Sequence, residues 1–134
     1  MSVYVRVSVG VEAYALPVEH VLEVAELGDV TPMPGAPAEV LGLRKLRGQI
    51  VPVVDLGFVF GGGRSSNPRK LVVAESSGRR AGFAIDEVAD VGVLTESFEE
   101  TDSNLLLGAV LVDEQLVGVI DVPRLFARLV EVPA

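Results

Sequence analysis

Apolar residues occupy every second position near the N-terminus of the chain, where residues 3, 5, 7 and 9 are all valine. A period of two is typical of a β-strand with one face in a core. Further short apolar runs, separated by Gly, Pro and charged residues, continue towards the C-terminus. This pattern predicts an all-β protein of about ten short strands with only short helices.

The stretch from Leu41 to Leu56 carries the clearest strand pattern, because two apolar runs are joined by a short basic turn. Arg47-Gly48 is the natural point of reversal, since glycine tolerates a positive φ without steric cost. The stretch is therefore predicted to form a β-hairpin. Pro52 has no N–H to donate to a neighbouring strand, so we expect its strand to lie at a sheet edge or to bend at a bulge.

The hairpin recurs in the second half of the chain. A shift of 66 positions lays residues 107–122 on residues 41–56 without a gap. The identical pairs are Leu41 and Leu107, Gly42 and Gly108, Gln49 and Gln115, Val51 and Val117, Val53 and Val119, and Asp55 and Asp121. The turns differ in charge, because Asp113-Glu114 replaces Arg47-Gly48. We interpret the match as a true internal repeat.

The repeat predicts one domain over residues 1–134 that contains two similar barrels. Residues 61–68 are rich in Gly and Ser and end in Pro, so they form the candidate linker. We expect the first barrel over residues 1–63, the second over 69–122 and a short C-terminal helix over 123–130. Each barrel is expected to close a five-stranded sheet and so to avoid open edges.

Composition excludes several classes of function. The net charge of −8 opposes binding to a phosphate backbone, and an aromatic content of 5% is too low for base stacking. The absence of cysteine excludes disulfides and thiolate sites and fits a reducing compartment. The sequence has no apolar run of about 18 residues and no signal-peptide core at its N-terminus. We therefore expect a soluble, cytoplasmic protein.

The residues that usually carry catalysis are sparse. His20 is the single histidine, and no neighbouring His or Cys completes a metal site or a catalytic triad. The glycines at 61–63 lack the Lys-Ser/Thr of a phosphate-binding loop. We therefore expect neither an enzyme nor a bound cofactor or metal.

A basic cluster lies at the tip of the first predicted hairpin and consists of Arg44, Lys45 and Arg47. One interpretation is a charged tip that keeps a strand edge from aggregating. The other is a partner-binding site, because arginine binds carboxylates with a fixed geometry. The second hairpin carries Leu111 and Asp113 at two of the equivalent positions, and this contrast favours the partner-binding interpretation.

Several stretches resemble CheW-like domains, the adaptors of bacterial chemotaxis. The match lies in the Pro-rich run at 30–37, in Leu-Arg-Gly-Gln-Ile-Val-Pro-Val-Val-Asp-Leu at 46–56, and in residues 14–17, 21–24 and 82–88. The resemblance implies two SH3-like barrels packed side by side with a hydrophobic seam. It also implies a non-catalytic adaptor that couples the cytoplasmic tip of a chemoreceptor to the regulatory domain of a CheA-type histidine kinase, without inserting into the membrane but recruited to receptor arrays.

The resemblance also assigns candidate partner-binding residues. Arg47 and Gly48 match the Leu-Arg-Gly turn that the family uses in coupling, and Val21 and Val88 match positions in the groove for receptor tips. For the two valines, a plain core role stays open. The full candidate set comprises Arg47, Gly48, Arg44, Lys45, Val21, Glu23, Gly42, Leu71 and Val88. Arg44 and Lys45 depart from the commonly uncharged residues of the family, which affects the choice of partner.

Two other functions remain as alternatives. A CheW-like scaffold could serve a two-component pathway other than chemotaxis, and a small barrel could bind oligonucleotides. Charge and aromatic content oppose the second alternative. Co-purification with candidate kinase regulatory domains and receptor tips separates these functions.

Overall fold

The computed structural model describes residues 2–62, 67–94 and 98–129. Within these residues the fold consists of ten strands and two short helices. The strands are β1 (Val3–Val9), β2 (Glu12–Pro17), β3 (Val21–Glu26), β4 (Val40–Leu46), β5 (Gln49–Asp55), β6 (Lys70–Ser76), β7 (Arg79–Ile85), β8 (Glu87–Val93), β9 (Leu106–Val112) and β10 (Gln115–Ile120). The helices are α1 (Leu56–Val59) and α2 (Val122–Arg128), and Val18–His20 forms one 3₁₀ turn. In these described residues, no helix is long and apolar enough to cross a membrane.

The strands form two five-stranded sheets, and each sheet combines strands from both halves of the chain. The β1 sheet has the order β8-β1-β2-β10-β9, and the β6 sheet has the order β3-β6-β7-β5-β4. The predicted all-β architecture of two five-stranded, SH3-like barrels is confirmed. Their predicted division into residues 1–63 and 69–122 is wrong, because β3 pairs with β6 and β5 pairs with β7, both from the other half of the chain. Residues 63–66 of the predicted linker lie outside the described residues.

The interleaved sheets preserve the internal repeat. Replacing each strand by its repeat mate converts the order of one sheet into the order of the other, with β8 matching β3 and β1 matching β6. The two predicted hairpins are confirmed as β4–β5 and β9–β10. Each hairpin leads into a helix that starts at a capping aspartate, because Phe58 N–H donates to Asp55 Oδ1 at 3.2 Å and Arg124 N–H donates to Asp121 Oδ1 at 3.1 Å. The second of these, α2, is the C-terminal helix predicted over 123–130, and the last of those residues lies outside the described part.

Both hairpins contain a bulge next to a glycine with positive φ. Gly42 has φ +151° and Gly108 has φ +157°. A Cβ atom on Gly42 would lie 2.2 Å from the backbone oxygen of Thr31, and one on Gly108 would lie 2.8 Å from that of Glu99. The Pro-rich segment and its mate therefore approach the two strands so closely that only glycine fits.

Pro52 occupies a place that the sequence did not predict. Its strand β5 is internal, between β7 and β4. The pairing with β7 begins only at Val53, opposite Gly82, so Pro52 lies just outside the ladder that would need its missing N–H. The expectation of an edge strand is thus wrong, and the bulge of this hairpin lies in β4, opposite Val53 and Val54, and not at Pro52 itself. The proline is accommodated because the ladder with β7 starts one residue after it.

The described part of the chain contains three apolar clusters. The largest contains side chains from both sheets and both helices, including Val7, Leu16, Phe83, Ile85 and Phe126, and thus joins the two barrels. A second cluster, with Tyr4 and Val119, lies on the other face of the β1 sheet. The third, with Val53 and Leu71, occupies the corresponding face of the β6 sheet. Alternation along the strands explains this division, because neighbouring residues of a strand face opposite sides of its sheet.

Candidate partner-binding site

The tip of the β4–β5 hairpin presents an exposed and oriented guanidinium group. Arg47 has φ 51° and Gly48 has φ 79°, the conformation of a two-residue hairpin turn. The side chain of Arg47 is 78% exposed, yet its Nε donates to Glu23 Oε1 at 3.1 Å and its Nη2 donates to Glu23 Oε2 at 3.1 Å. The turn thus holds Arg47 at the surface, and the carboxylate fixes the direction of its guanidinium.

The pair joins the two edges of the β6 sheet. Glu23 belongs to the edge strand β3, and Arg47 follows the opposite edge strand β4. Contact between them is possible because the sheet curls towards closure. The hydrogen bond from Arg47 lowers the pKa of Glu23 and raises the pKa of Arg47, so each group favours the charged form of the other.

The other two members of the basic cluster differ from Arg47 in accessibility. Arg44 is half-buried, its Nε donates to the backbone oxygen of Leu27 at 2.8 Å, and its guanidinium would lie only 2.7 Å from a Cβ on Gly28. Arg44 therefore fastens β4 to the segment after β3. Lys45 is exposed at the tip of the hairpin. Of this cluster, Arg47 and Lys45 are the cations that a partner can reach most directly.

Val21 and Val88 lie at equivalent positions in different sheets. Val21 pairs with Ala74 in β6, and Val88 pairs with Val7 in β1. Both valines are half-buried and pack against the large cluster that joins the barrels. Each valine contacts the core and is also partly exposed, so the role of the two residues in docking a receptor stays a prediction.

Two predicted partner-binding residues are inaccessible in this fold. Leu71 is 0% exposed in the third apolar cluster, so it is a core residue. Gly42 is buried against the backbone of Thr31, so its function is to permit the bulge of β4. Their assignment to direct partner contact is therefore wrong, and the reason is burial that strand alternation alone did not reveal.

The sequence interpretation missed an exposed apolar surface on the second hairpin. Leu111 is 66% exposed, Leu116 is 61% exposed, and the two residues are paired across β9 and β10. Val11, which lies in the β1–β2 turn, is also exposed. The repeat could have revealed this surface, because Leu111 is the repeat mate of Lys45 and so lies near the tip of an exposed hairpin.

Comparisons with known proteins agree with this geometry. A chemotaxis protein CheW of Helicobacter pylori is 26% identical over 130 residues, which cover 90% of this chain and 78% of the relative. A chemotaxis protein CheW of Thermotoga maritima is 34% identical over 87 residues, which cover 64% of this chain and 58% of the relative. The crystal structure of the scaffolding protein TtCheW from Thermoanaerobacter tengcongensis superposes with a TM-score of 0.83 and 28% identity, covering 93% of this chain and 87% of that one.

The match extends over both barrels and over the helix that follows them. A model of the CheW-like domain matches residues 3–130, which include all ten strands and both helices. This chain belongs to the CheW-like domain family.

Proposed function

We propose that this protein is a non-catalytic adaptor that couples chemoreceptors to a CheA-type histidine kinase. It binds the regulatory domain of the kinase on one surface and the cytoplasmic tip of a receptor on another. The observation that carries the proposal is the family match over residues 3–130, together with relatives that are named chemotaxis proteins. An adaptor needs two separate surfaces, and the fold offers two candidates.

The first candidate surface is the basic hairpin tip, which we assign to the kinase. Arg47 is exposed, directed by Glu23 and accompanied by Lys45. Charged residues at the rim of an interface steer association and select partners of opposite charge. The tip is locally positive in a protein of net charge −8, so it differs from most of the surface.

The second candidate surface is the seam between the barrels, which we assign to the receptor. Val21 and Val88 flank it from the edge strands β3 and β8, and both also pack on the shared core. Exposed apolar residues next to a rigid core are typical of docking grooves for helices. A receptor tip with apolar residues on one helical face suits this surface.

The test uses two purified partners, the regulatory domain of the kinase and the cytoplasmic tip of the receptor from the same organism. We expect the wild-type protein to co-purify with both. Val21→Lys and Val88→Lys should abolish receptor binding and preserve kinase binding, because a buried cation at the seam has no partner. The matched control is Val24→Lys, which places the same charge on an exposed residue of β3.

Stability measurements separate docking from packing. If docking is the role of Val21 and Val88, the thermal midpoints of the two variants should remain close to wild type. A large drop in the midpoint, accompanied by loss of both partners, would assign the valines to the core. Failure of the wild-type protein to bind either partner would refute the proposed function.

A further inference from the structure

We propose that a cavity beside β7 binds one aromatic side chain of a partner protein, presented in an acidic segment. The cavity has a volume of about 460 Å³, within the range of ligand sites of roughly 300–1,000 Å³. Apolar side chains line much of it, and they include Leu43, Pro52, Val54, Ala81, Phe126 and Leu129. This site lies on the β6 sheet and goes beyond the coupling function proposed above.

The internal repeat provides the first argument, because the equivalent place in the β1 sheet is filled. Tyr14 pairs with Val7 as Ala81 pairs with Ala74, so Tyr14 and Ala81 are repeat mates. The ring of Tyr14 is buried and stacks on Phe60, with 4.6 Å between the ring centres. Alanine therefore leaves open, in one barrel, the space that an aromatic ring fills in the other.

The aromatic wall is present in both halves. Phe60 and Phe126 each follow the capping aspartate of their helix by five positions. Phe126 contacts Phe83 edge to face, with ring centres 5.8 Å apart, and the guanidinium carbon of Arg79 lies 5.9 Å from its centre. A ring that enters the cavity thus meets a phenyl group and a guanidinium, both of which favour aromatic partners.

Pro52 keeps the cavity open. The parallel ladder between β10 and β2 runs from Val117 to Val119, but the ladder between β5 and β7 begins only at Val53. The missing N–H of Pro52 explains why the strands are unpaired beside Ala81. Its repeat mate is Gly118, where a Cβ would lie 3.1 Å from the ring of Tyr14. Ala81 in place of Tyr14 and Pro52 in place of Gly118 therefore both affect the space beside β7.

The charge at the rim selects an acidic segment. Arg79 donates to the backbone oxygen of Phe126 at 2.7 Å and is thereby fixed at the wall. Arg80 is half-exposed and bonds to Glu75 at 2.9 Å, and it also donates to Gln49. Two arginines and one glutamate give the lining a positive balance in a protein of net charge −8. Carboxylates on either side of the incoming ring complement this rim.

The probe for the test is the blocked peptide acetyl-Glu-Tyr-Glu-amide, titrated into full-length protein while the methyl resonances of Ala81 and Val54 are followed by NMR. We expect saturable shifts at both methyls. Replacing the tyrosine of the peptide by alanine, or both of its glutamates by lysine, should weaken binding by about tenfold or more. Equal affinity for all three peptides would overturn the proposal.

Two sets of variants locate the site. Ala81→Tyr combined with Pro52→Gly copies Tyr14 and Gly118 into the β6 sheet, so it should fill the cavity and abolish peptide binding while the protein stays folded. If that variant does not fold, Arg80→Glu provides the answer, with Arg69→Glu as its control. Arg69 is also an exposed, ion-paired arginine, but it pairs with Glu87 and does not line the cavity.

We expect Arg80→Glu to weaken binding of the acidic peptide by about tenfold and Arg69→Glu to leave it nearly unchanged. If both variants weaken peptide binding equally, the cause is the overall charge of the protein, and the proposed site is refuted. Nuclear Overhauser contacts between Ala81 and residues 130–134 in the free protein would also overturn the proposal, because the cavity would then be occupied by its own chain.

Discussion

The β4–β5 and β9–β10 hairpins share a backbone and differ in the chemistry of their tips. Both have a bulge at a glycine, a two-residue turn with positive φ and a capping aspartate at the end. The first tip carries Lys45 and Arg47, whereas the second carries Leu111 and Asp113 at the same positions. Since the same fold forms with either set, the side chains at the tips are free to specify partners.

The bulge glycines test the shared part of this comparison and should give the largest effect. Gly42→Ala places a Cβ against the backbone oxygen of Thr31, and a backbone atom cannot move aside as the end of a flexible side chain could. We expect a loss of about 2–4 kcal/mol in the free energy of unfolding. Gly108→Ala should lose a similar amount, because its Cβ meets the backbone oxygen of Glu99 and the Cβ of Phe98.

Gly48→Ala is the matched control, measured in the same urea titrations. Gly48 also has positive φ, but the space around it is open, and its repeat mate Glu114 adopts φ 66°. We therefore expect a loss of only about 1 kcal/mol. Equal losses at positions 42 and 48 would mean that φ alone, and not the approach of the Pro-rich segment, requires the glycine.

Arg47 tests the part of the comparison in which the hairpins differ. Loss of one charged hydrogen-bonding group at an interface costs about 1.5–3 kcal/mol, so Arg47→Ala should weaken binding to the kinase regulatory domain by roughly 10- to 150-fold. Arg47→Glu should weaken it further and slow association most at low salt, where screening is weakest. Both affinities and association rates can be measured by surface plasmon resonance.

The control for Arg47 is Asp113→Ala, which removes the charge of the equivalent turn in the other barrel. We expect its affinity for the kinase domain to stay near wild type. The unfolding free energies of all three variants should lie within about 0.5 kcal/mol of wild type, because both side chains are at exposed turns. An affinity unchanged by Arg47→Ala would leave Arg47 as an ordinary surface charge.

The sequence predicted local structure well because local rules govern it. The strand pattern and the two hairpins both follow from residues close together in the chain. The exchange of strands between the halves was not predicted, because a repeat specifies equivalent strands but not which copy each strand pairs with. A contiguous barrel and an interleaved one have the same sequence pattern.

The candidate site was also predicted only in part, because local sequence determines some of its features and strand packing determines the others. The exposure of Arg47 was predicted because turns lie at the surface, a rule that needs only local sequence, and its binding role stays a prediction. Leu71 was misassigned because its burial depends on β3 and β7 packing around it. The cavity beside Ala81 could have been suspected from the mismatch with Tyr14, but only the register of the strands shows that the two positions are equivalent.

The smallest expected effect is a shift in the acid titration of Glu23. Its pKa is lowered chiefly by the hydrogen bond from Arg47, so Arg47→Ala should return the pKa of Glu23 towards its ordinary value. Carbon-detected NMR of the side-chain carboxyl measures this directly. Glu26 is the internal control, because its lowered pKa has Lys70 as the main cause and should not move.

The sign of the linked stability change follows from the direction of the shift. A lowered pKa means that the folded state favours the carboxylate, so the contribution is present above the unfolded pKa of about 4.3 and is lost as the pH falls through the lower folded pKa. The difference in unfolding midpoint between wild type and Arg47→Ala should therefore shrink with acidification. A difference that grows at low pH would contradict the Arg47–Glu23 pair, and with it the reason why the basic tip presents a fixed guanidinium where the acidic tip does not.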